Sequence, residues 1–516
     1  MLTRWVALVL VLSASVASAE ETAYVPPDFL QATPPLPDDR DPSTAMRLDL
    51  AEALRIAVHQ NLGVVLERHA SRIADLGITV ADGLFEPTLE AGYAHGSSQA
   101  PPSSAQEGMP GQILEYSQDR WNVSLGKRLA TGMQLNASFV TDRSKSALGT
   151  AVTPLNYRSQ LALSITQPLL RGFSLDLDVP QLPVLQAKLG SEREKHQVEV
   201  VIAQVVERTE SAYWDVVRAL YRYDLEKRSL ARAELQLALT KRQIDSGVLP
   251  PSDVIAAEST LAQFQLQLLQ AEEGIEAASD QLRAIMNLPR EQWTKPILPI
   301  EIPTFAPQTI SAQDAMTTAL SHRPELVQVD LDLQASALAV RKAENDKLPQ
   351  IDLGLTGSLV GQDDTYNGSL DQLGGFEARG WNVLLNLTWT PLRRATKAAA
   401  EIERTRHQVA KTQRDQLVQQ IWLAVREAVR NQQSAARQVL AAAKFRELAA
   451  KSLEIEQRKF LNGQSSNFLV AQHQQELAAA QVAELGAMLD HKKASAALSL
   501  ATGELLGARH IELTTK

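Results

Sequence analysis

The chain has 516 residues, 44% of them apolar and only 5% aromatic, with a formal net charge of −9 and no cysteine. Thiolate catalysis, cysteine-ligated metal, disulfides and a thioether-linked lipid anchor are therefore excluded together. The acidic balance, with no basic stripe in any segment, argues against a nucleic-acid partner.

At the N-terminus, MLTRWVALVLVLSASVASA places Arg4 before an apolar run from Trp5 to Leu12 and small residues at Ala17-Ser18-Ala19. This is the pattern of a secretory signal peptide over residues 1–19. No later stretch reaches the roughly 18 to 20 uninterrupted apolar residues of a membrane helix, so the expectation is an exported chain without a helical anchor. Residues 20–47, including PPDFLQATPPLPDDRDP, read as a proline-rich linker.

A helix is predicted over 52–83 from Leu54, Val58, Val65, Ile73 and Val80, at helical spacing. It runs into Pro87 and an alternating strand at 88–96. The same text returns from Ile310 at an offset of 262, pairing Ala53 with Ala315, Ala57 with Ala319, Pro87 with Pro349 and Gly92 with Gly354. A repeat of this length makes the chain two copies of one unit, 48–309 and 310–503, followed by a tail at 504–516.

Further strands are predicted at 121–129, 133–141 and 157–167 in the first copy, and at 351–359 and 381–390 in the second. The last strand of each copy ends at a Pro-Leu pair, Pro168-Leu169 and Pro391-Leu392. In WNVLLNLTWTP, Trp381, Val383, Leu385, Leu387 and Trp389 share one face, and Asn382, Asn386, Thr388 and Thr390 the other. About ten residues, apolar on one side with aromatic ends, suits a tilted membrane strand. Long polar loops, SSQAPPSSAQEGMPGQILEYSQD and GQDDTYNGSLDQLGGFEARG, alternate with the short turn Ala130–Gly132, as in strands that cross a membrane repeatedly.

Helices are predicted over 181–246, 252–287, 312–347, 398–462 and 467–502. The two longest would be rods of about 100 Å, which need neighbours in a coiled-coil-like array to bury their stripes. The breaks between partner helices read RQIDSGVLPPSDVIAAE and RKFLNGQSSNFLVAQ. In each, an arginine (Arg242, Arg458) precedes a glycine (Gly247, Gly463) by five residues, and a polar residue (Ser252 or Asp253; Asn467) opens the next helix. Glycine suits the left-handed position that ends a helix, and a polar side chain suits the first free amides of the next. The nine histidines form no His-x₃-His pair, and no nucleophile stands with a base or a glycine-rich cradle, so no catalysis, metal or cofactor is expected.

With these elements in place, the chain resembles the TolC-type outer-membrane factor family from about residue 48 to 503. The resemblance rests on the helix–Pro–strand entries at Pro87 and Pro349, on QPLLRG (167–172) and WTPL (389–392), and on the two helix tips. It implies a mainly α fold with membrane β: a long helical coiled-coil barrel continuous with an outer-membrane β-barrel completed by a homotrimer. It also implies that Arg242, Gly247, Asp253, Arg458, Gly463 and Asn467 belong to an aperture that docks a periplasmic adaptor (membrane fusion) protein, served by an inner-membrane pump or ABC transporter. Pro87, Pro168, Pro349 and Pro391 would mark where sheet becomes helix. Function would be passive efflux or type I secretion through the outer-membrane lipid. Elementary physics agrees on one point, because four or six strands are too few to close a membrane barrel and open edges in hydrocarbon cost several kcal/mol per unpaired group.

Two departures from the family pattern stand out. The hairpin at 121–141 would give eighteen strands in a trimer if it spans and twelve if it lies outside. Gln464, Ser465 and Asn467 occupy places where the family often carries charges that lock the aperture. The rival reading, a periplasmic coiled-coil adaptor or scaffold of an envelope complex, does not account for the alternating strands or the duplication.

Overall fold

The computed structural model describes residues 43–102, 111–146, 155–247, 249–306 and 310–511, with single positions 27, 30, 33, 35–37, 40 and 109. The expected signal peptide at 1–19 and most of the linker at 20–47 lie outside the described residues, as do 103–108, 147–154 and 512–516.

In chain order the elements are β1 (Met46–Leu48), α1 (Leu50–Gln60), α2 (Leu62–Asp82), β2 (Thr88–Ala100), β3 (Leu114–Arg128), β4 (Gln134–Ser146) and β5 (Leu155–Pro168). There follow α3 (Leu182–Asp245), α4 (Asp253–Met286), β6 (Ile297–Pro299), α5 (Ala312–His322), α6 (Pro324–Asn345), β7 (Gln350–Asp363) and α7 (Tyr366–Gly374). The last are β8 (Ala378–Thr388), α8 (Arg394–Leu461), α9 (Asn467–Thr502) and α10 (Leu505–Ala508).

Three features correct the sequence expectations. The helices expected over 52–83 and 312–347 are each broken, at Asn61 and at Arg323, positions again 262 apart. Asn61 is extended and its side chain accepts from the amides of Gly63 and Val64, so it caps a new helix. Arg323 is extended because Pro324 follows it, and proline disfavours a helical predecessor. The loop after β7 contains a nine-residue helix, α7. The expected tail at 504–516 begins with the short helix α10.

The chain divides into two compact units, each drawing on both halves of the sequence. The first comprises the described residues within 1–54, 208–310 and 428–498; the second comprises those within 55–207, 311–427 and 499–516.

In the first unit, β1 pairs in parallel with β6. The described helices of this unit are held by small apolar seams: Ala233, Phe264 and Ala478 in one cluster, and Ala449, Leu453, Phe460, Val470, Leu477 and Ala480 in another. Alanine at such seams lets helix axes approach closely. Ion pairs from Lys493 to Asp215, at 2.5 Å, and from Arg218 to Asp490 fasten α9 to α3.

The second unit holds a six-stranded antiparallel sheet in the order β2-β3-β4-β5-β7-β8. The hairpin β3-β4 is therefore a full member of the sheet, paired on both sides. Register makes the two faces explicit. One row runs Leu89, Leu125, Ala137, Leu163, Gly357 and Trp381. The next row runs Thr88, Gly126, Asn136, Ser164, Thr356 and Asn382. Adjacent rows point to opposite faces, so one side of the sheet is apolar and the other polar across all six strands. Both outer strands keep an open edge, and Trp381 on β8 is 84% exposed.

Candidate functional site

The helix tips lie in the first unit and are built around two left-handed glycines. Gly247 and Gly463 both have φ of +71°, and a Cβ at either position would meet open space. The left-handed conformation, not crowding, is what calls for glycine there. At the second tip, Gly463 donates to the carbonyl of Phe460 and Gln464 reaches back to that of Lys459 at 2.9 Å, which closes the last turn of α8. At the first tip, Ser246 donates through both its amide and its hydroxyl to the carbonyl of Arg242.

The polar residues after the glycines do different work from the capping expected. Ser252 precedes α4 in helical conformation and makes no side-chain cap hydrogen bond. At the start of α9 it is the hydroxyl of Ser466 that accepts from an amide, that of Leu469. Asn467 is 2% exposed, and its side chain accepts from Gln236 at 2.7 Å and donates to the carbonyl of Asp253 at 3.4 Å. One amide thus joins α9 to α3 and to the first turn of α4. Beside it, Leu249 packs against the Phe460 and Val470 cluster, and Gln475 donates to Gln263 at 2.7 Å. At the tips, the two hairpins are tied by neutral hydrogen bonds and packing.

The charges sit elsewhere. Arg458 pairs with Glu454, one turn back on its own helix, and both are exposed. Among the described residues, the side chains of Arg242 and Asp253 make no ion pair. Glu456, which is largely buried, accepts from Ser465 and pairs with Lys459 at 3.0 Å. The Ser465 hydrogen bond and the Lys459 ammonium hold its carboxyl below the usual range. Of the six tip residues singled out from sequence, Asn467 and Asp253 are brought together; Arg242 and Arg458 are not joined to them by any described side-chain bond. Sequence reasoning passed over Gln236, although it lies between buried Ala233 and Thr240 on the core face of α3, where a polar residue needs a partner.

The four prolines fall at junctions in the second unit. Pro87 precedes β2, Pro349 precedes β7, Pro168 ends β5 and Pro391 follows β8. The turn after Pro168 is held by Asn345 at the end of α6. Asn345 accepts from the amide of Gly172 at 2.7 Å and donates to the carbonyls of Phe173 and Leu170. After β8, Arg393 lies over the Trp389 ring and donates to the carbonyl of Lys347.

Residues 315–504 match the family model for outer membrane efflux proteins. That stretch is an outer membrane efflux protein domain. The chain is 25% identical over 396 residues to outer membrane efflux protein BepC of Brucella suis biovar 1 (strain 1330), a match spanning 74% of this chain and 79% of BepC. Its fold is similar to that of a membrane protein from Pseudomonas aeruginosa, with a TM-score of 0.65, 16% identity and 92% of each chain covered. It is also similar to the CmeC outer membrane channel of Campylobacter jejuni, with a TM-score of 0.63, 15% identity and 88% and 86% of the two chains covered.

Proposed function

We propose that the protein is the outer-membrane channel-tunnel of a tripartite export system. Three copies close one β-barrel and one helical tunnel, through which substrate passes passively to the exterior. It arrives from a periplasmic adaptor (membrane fusion) protein and an inner-membrane pump or ABC transporter. Each copy carries two structural repeats, 48–309 and 310–503.

The observation that carries this reading is a pair of unsatisfied, non-identical edges on one unit. Strand β2 has an open side, and α2, which leads into it through Pro87, exposes Leu62, Leu66, Ile73, Leu76 and Val80 at heptad spacing. Strand β8 has the other open side, and α8, which follows it through Pro391, exposes Ile402, Val409 and Leu423 at multiples of seven. Joining one edge to the other on a second copy is a heterologous contact, and such contacts make a ring when the rotation closes. Six strands cannot close alone; three copies supply eighteen, with the apolar rows toward lipid and the polar rows toward the lumen. The helix tips, with Arg242 and Arg458 beside the ends of their helices, would then form the aperture and the adaptor-docking surface.

Ile73→Glu and Val409→Glu each place a carboxylate in the helical seam. Sedimentation of the detergent-purified variants should show monomers where the natural sequence gives trimers, and their conductance in planar bilayers should vanish. A natural-sequence protein that sediments as a monomer sinks the channel reading. Gly247→Pro and Gly463→Pro should leave the trimer intact and weaken cross-linking to the adaptor; undiminished cross-linking in both would remove the tips from the docking surface.

A further inference from the structure

Helix α7 lies on the apolar face of the sheet, at the end where the long loops are. Its seat is Gly361: a Cβ there would come within 1.9 Å of the Ser369 carbonyl oxygen. Three buried hydroxyls fasten it. Thr141 Oγ1 and Ser159 Oγ are 3.1 Å apart, Ser159 Oγ and Ser369 Oγ are 2.9 Å apart, and Ser369 Oγ donates to the carbonyl of Tyr366. Thr141, Ser159 and Gly361 are neighbours in register, so they share the face of Leu161 and Leu359.

Rows on that face change character in order. Ala91, Val123, Phe139, Leu161 and Leu359 are apolar, and Arg379 ends the row on the outer strand β8. The next row is Tyr93, Trp121, Thr141, Ser159 and Gly361, aromatic where α7 is absent and hydroxylated where α7 covers it. The row after that carries charge: Asp119 accepts from Arg143 at 3.0 Å and pairs with His95 at 2.7 Å. Apolar, then aromatic, then charged is the order met on leaving a bilayer through its headgroups.

We propose that α7 is an interfacial collar, lying in the headgroup layer of the outer leaflet and setting the height of the barrel in the membrane. Its outward side fits that layer alone. Tyr366 and Phe376 are 44% and 63% exposed, more aromatic surface than water favours, while the exposed Asn367, Asp371 and Glu377 are too polar for acyl chains. Tyr157, which is in register with Arg143 in the charged row, meets Tyr366 in a T-shaped contact at 6.3 Å and joins the collar to the sheet at that level. The lipid surface is the occupant because the patch is continuous with the apolar rows below it. The collar rests on the barrel reading above.

The chain has no cysteine, so single labels are available. Tyr366→Cys, Phe376→Cys, Val383→Cys and Gln112→Cys would be spin-labelled in the full-length protein and reconstituted in phosphatidylethanolamine–phosphatidylglycerol vesicles. Oxygen and nickel-chelate accessibilities then report depth. The expected result is Val383 in hydrocarbon, Gln112 in water, and 366 and 376 between them at phosphate level. Labels at 366 and 376 as nickel-accessible as that at 112, with Val383 still in hydrocarbon, would overturn the collar and leave the barrel standing. Shielding of 366 and 376 from both reagents would also overturn the collar, by marking a protein interface. An aqueous Val383 would sink the barrel reading itself.

Discussion

Gln236 on α3 donates its side-chain amide to Asn467 at the first position of α9, at 2.7 Å, with both side chains buried. Asn467 in turn donates to the backbone of Asp253, so a single side chain links three helices at the tips. The tie carries no net charge. Salt should therefore leave it nearly unaffected, unlike a surface ion pair.

Asn467→Leu removes the acceptor and leaves the Gln236 amide buried without a partner, a cost of about 1–3 kcal/mol. The open fraction in planar-bilayer recordings should rise, and uptake of large external solutes should rise with it. Adding Gln236→Leu should recover part of the lost stability, because both polar groups are then gone. A single variant with unchanged thermal stability and unchanged conductance would show that the link does not hold the tips.

Gly463→Ala should destabilise by about 1–2 kcal/mol, since an alanine in the left-handed region strains its own backbone even where space is open. Gly463→Asn should cost less, because asparagine tolerates that region. Thermal denaturation of the two variants, compared with the same pair at Gly247, checks the order. Equal stability of alanine and asparagine at both positions would mean that the tips relax out of the observed conformation.

Gly361→Ala forces a methyl group toward the Ser369 carbonyl, a backbone atom that cannot swing aside. Displacement of α7 should cost about 1–3 kcal/mol and lower the temperature at which the folded sheet is lost in heat-modifiability gels. Ser369→Ala, which removes only a hydroxyl from the buried chain, should have a smaller effect.

His491 sets a pH dependence. It is buried, meets Phe305 edge-on at 4.9 Å, and neither ring nitrogen has a hydrogen-bond partner among the described residues. Burial first, and Lys492 second, pull its pKa below the ordinary 6.5. The unfolded chain then binds more protons than the folded one between the folded value and about 6.5, so stability falls as pH drops through that window. His491→Phe should flatten this slope, which melting curves at about pH 7.5 and 5 would show. An equal loss on acidification with and without His491 would assign the acid sensitivity to other groups.

Much of the architecture was legible in the sequence because its signals are local. Each strand of the sheet overlaps a segment expected from the sequence, and alternation marked the apolar side of β8. The tip glycines were readable from the helical periodicity on either side of them. The offset of 262 holds for element starts, with α1 and α5, α2 and α6, and β2 and β7 each beginning that far apart. The breaks at Asn61 and Arg323 carried signals that went unread: an asparagine cap in one copy and a proline in the other, inside otherwise continuous apolar periodicity.

Other features could be settled only by the fold, because they depend on which strangers in sequence become neighbours in space. Nothing near Asn467 announces Gln236, 231 residues away, or turns an apparent helix cap into a tie between hairpins. Thr365 offers one local signal, since its hydroxyl accepts from the Gly368 amide as a helix cap, but the place of α7 on the sheet depends on Gly361 and on two hydroxyls from other strands. Whether the hairpin of β3 and β4 joins the sheet was likewise left open by alternation, which fixes faces and not partners. Local chemistry determined each element and its buried side; hydrogen bonds between distant backbones and side chains decided how those elements met.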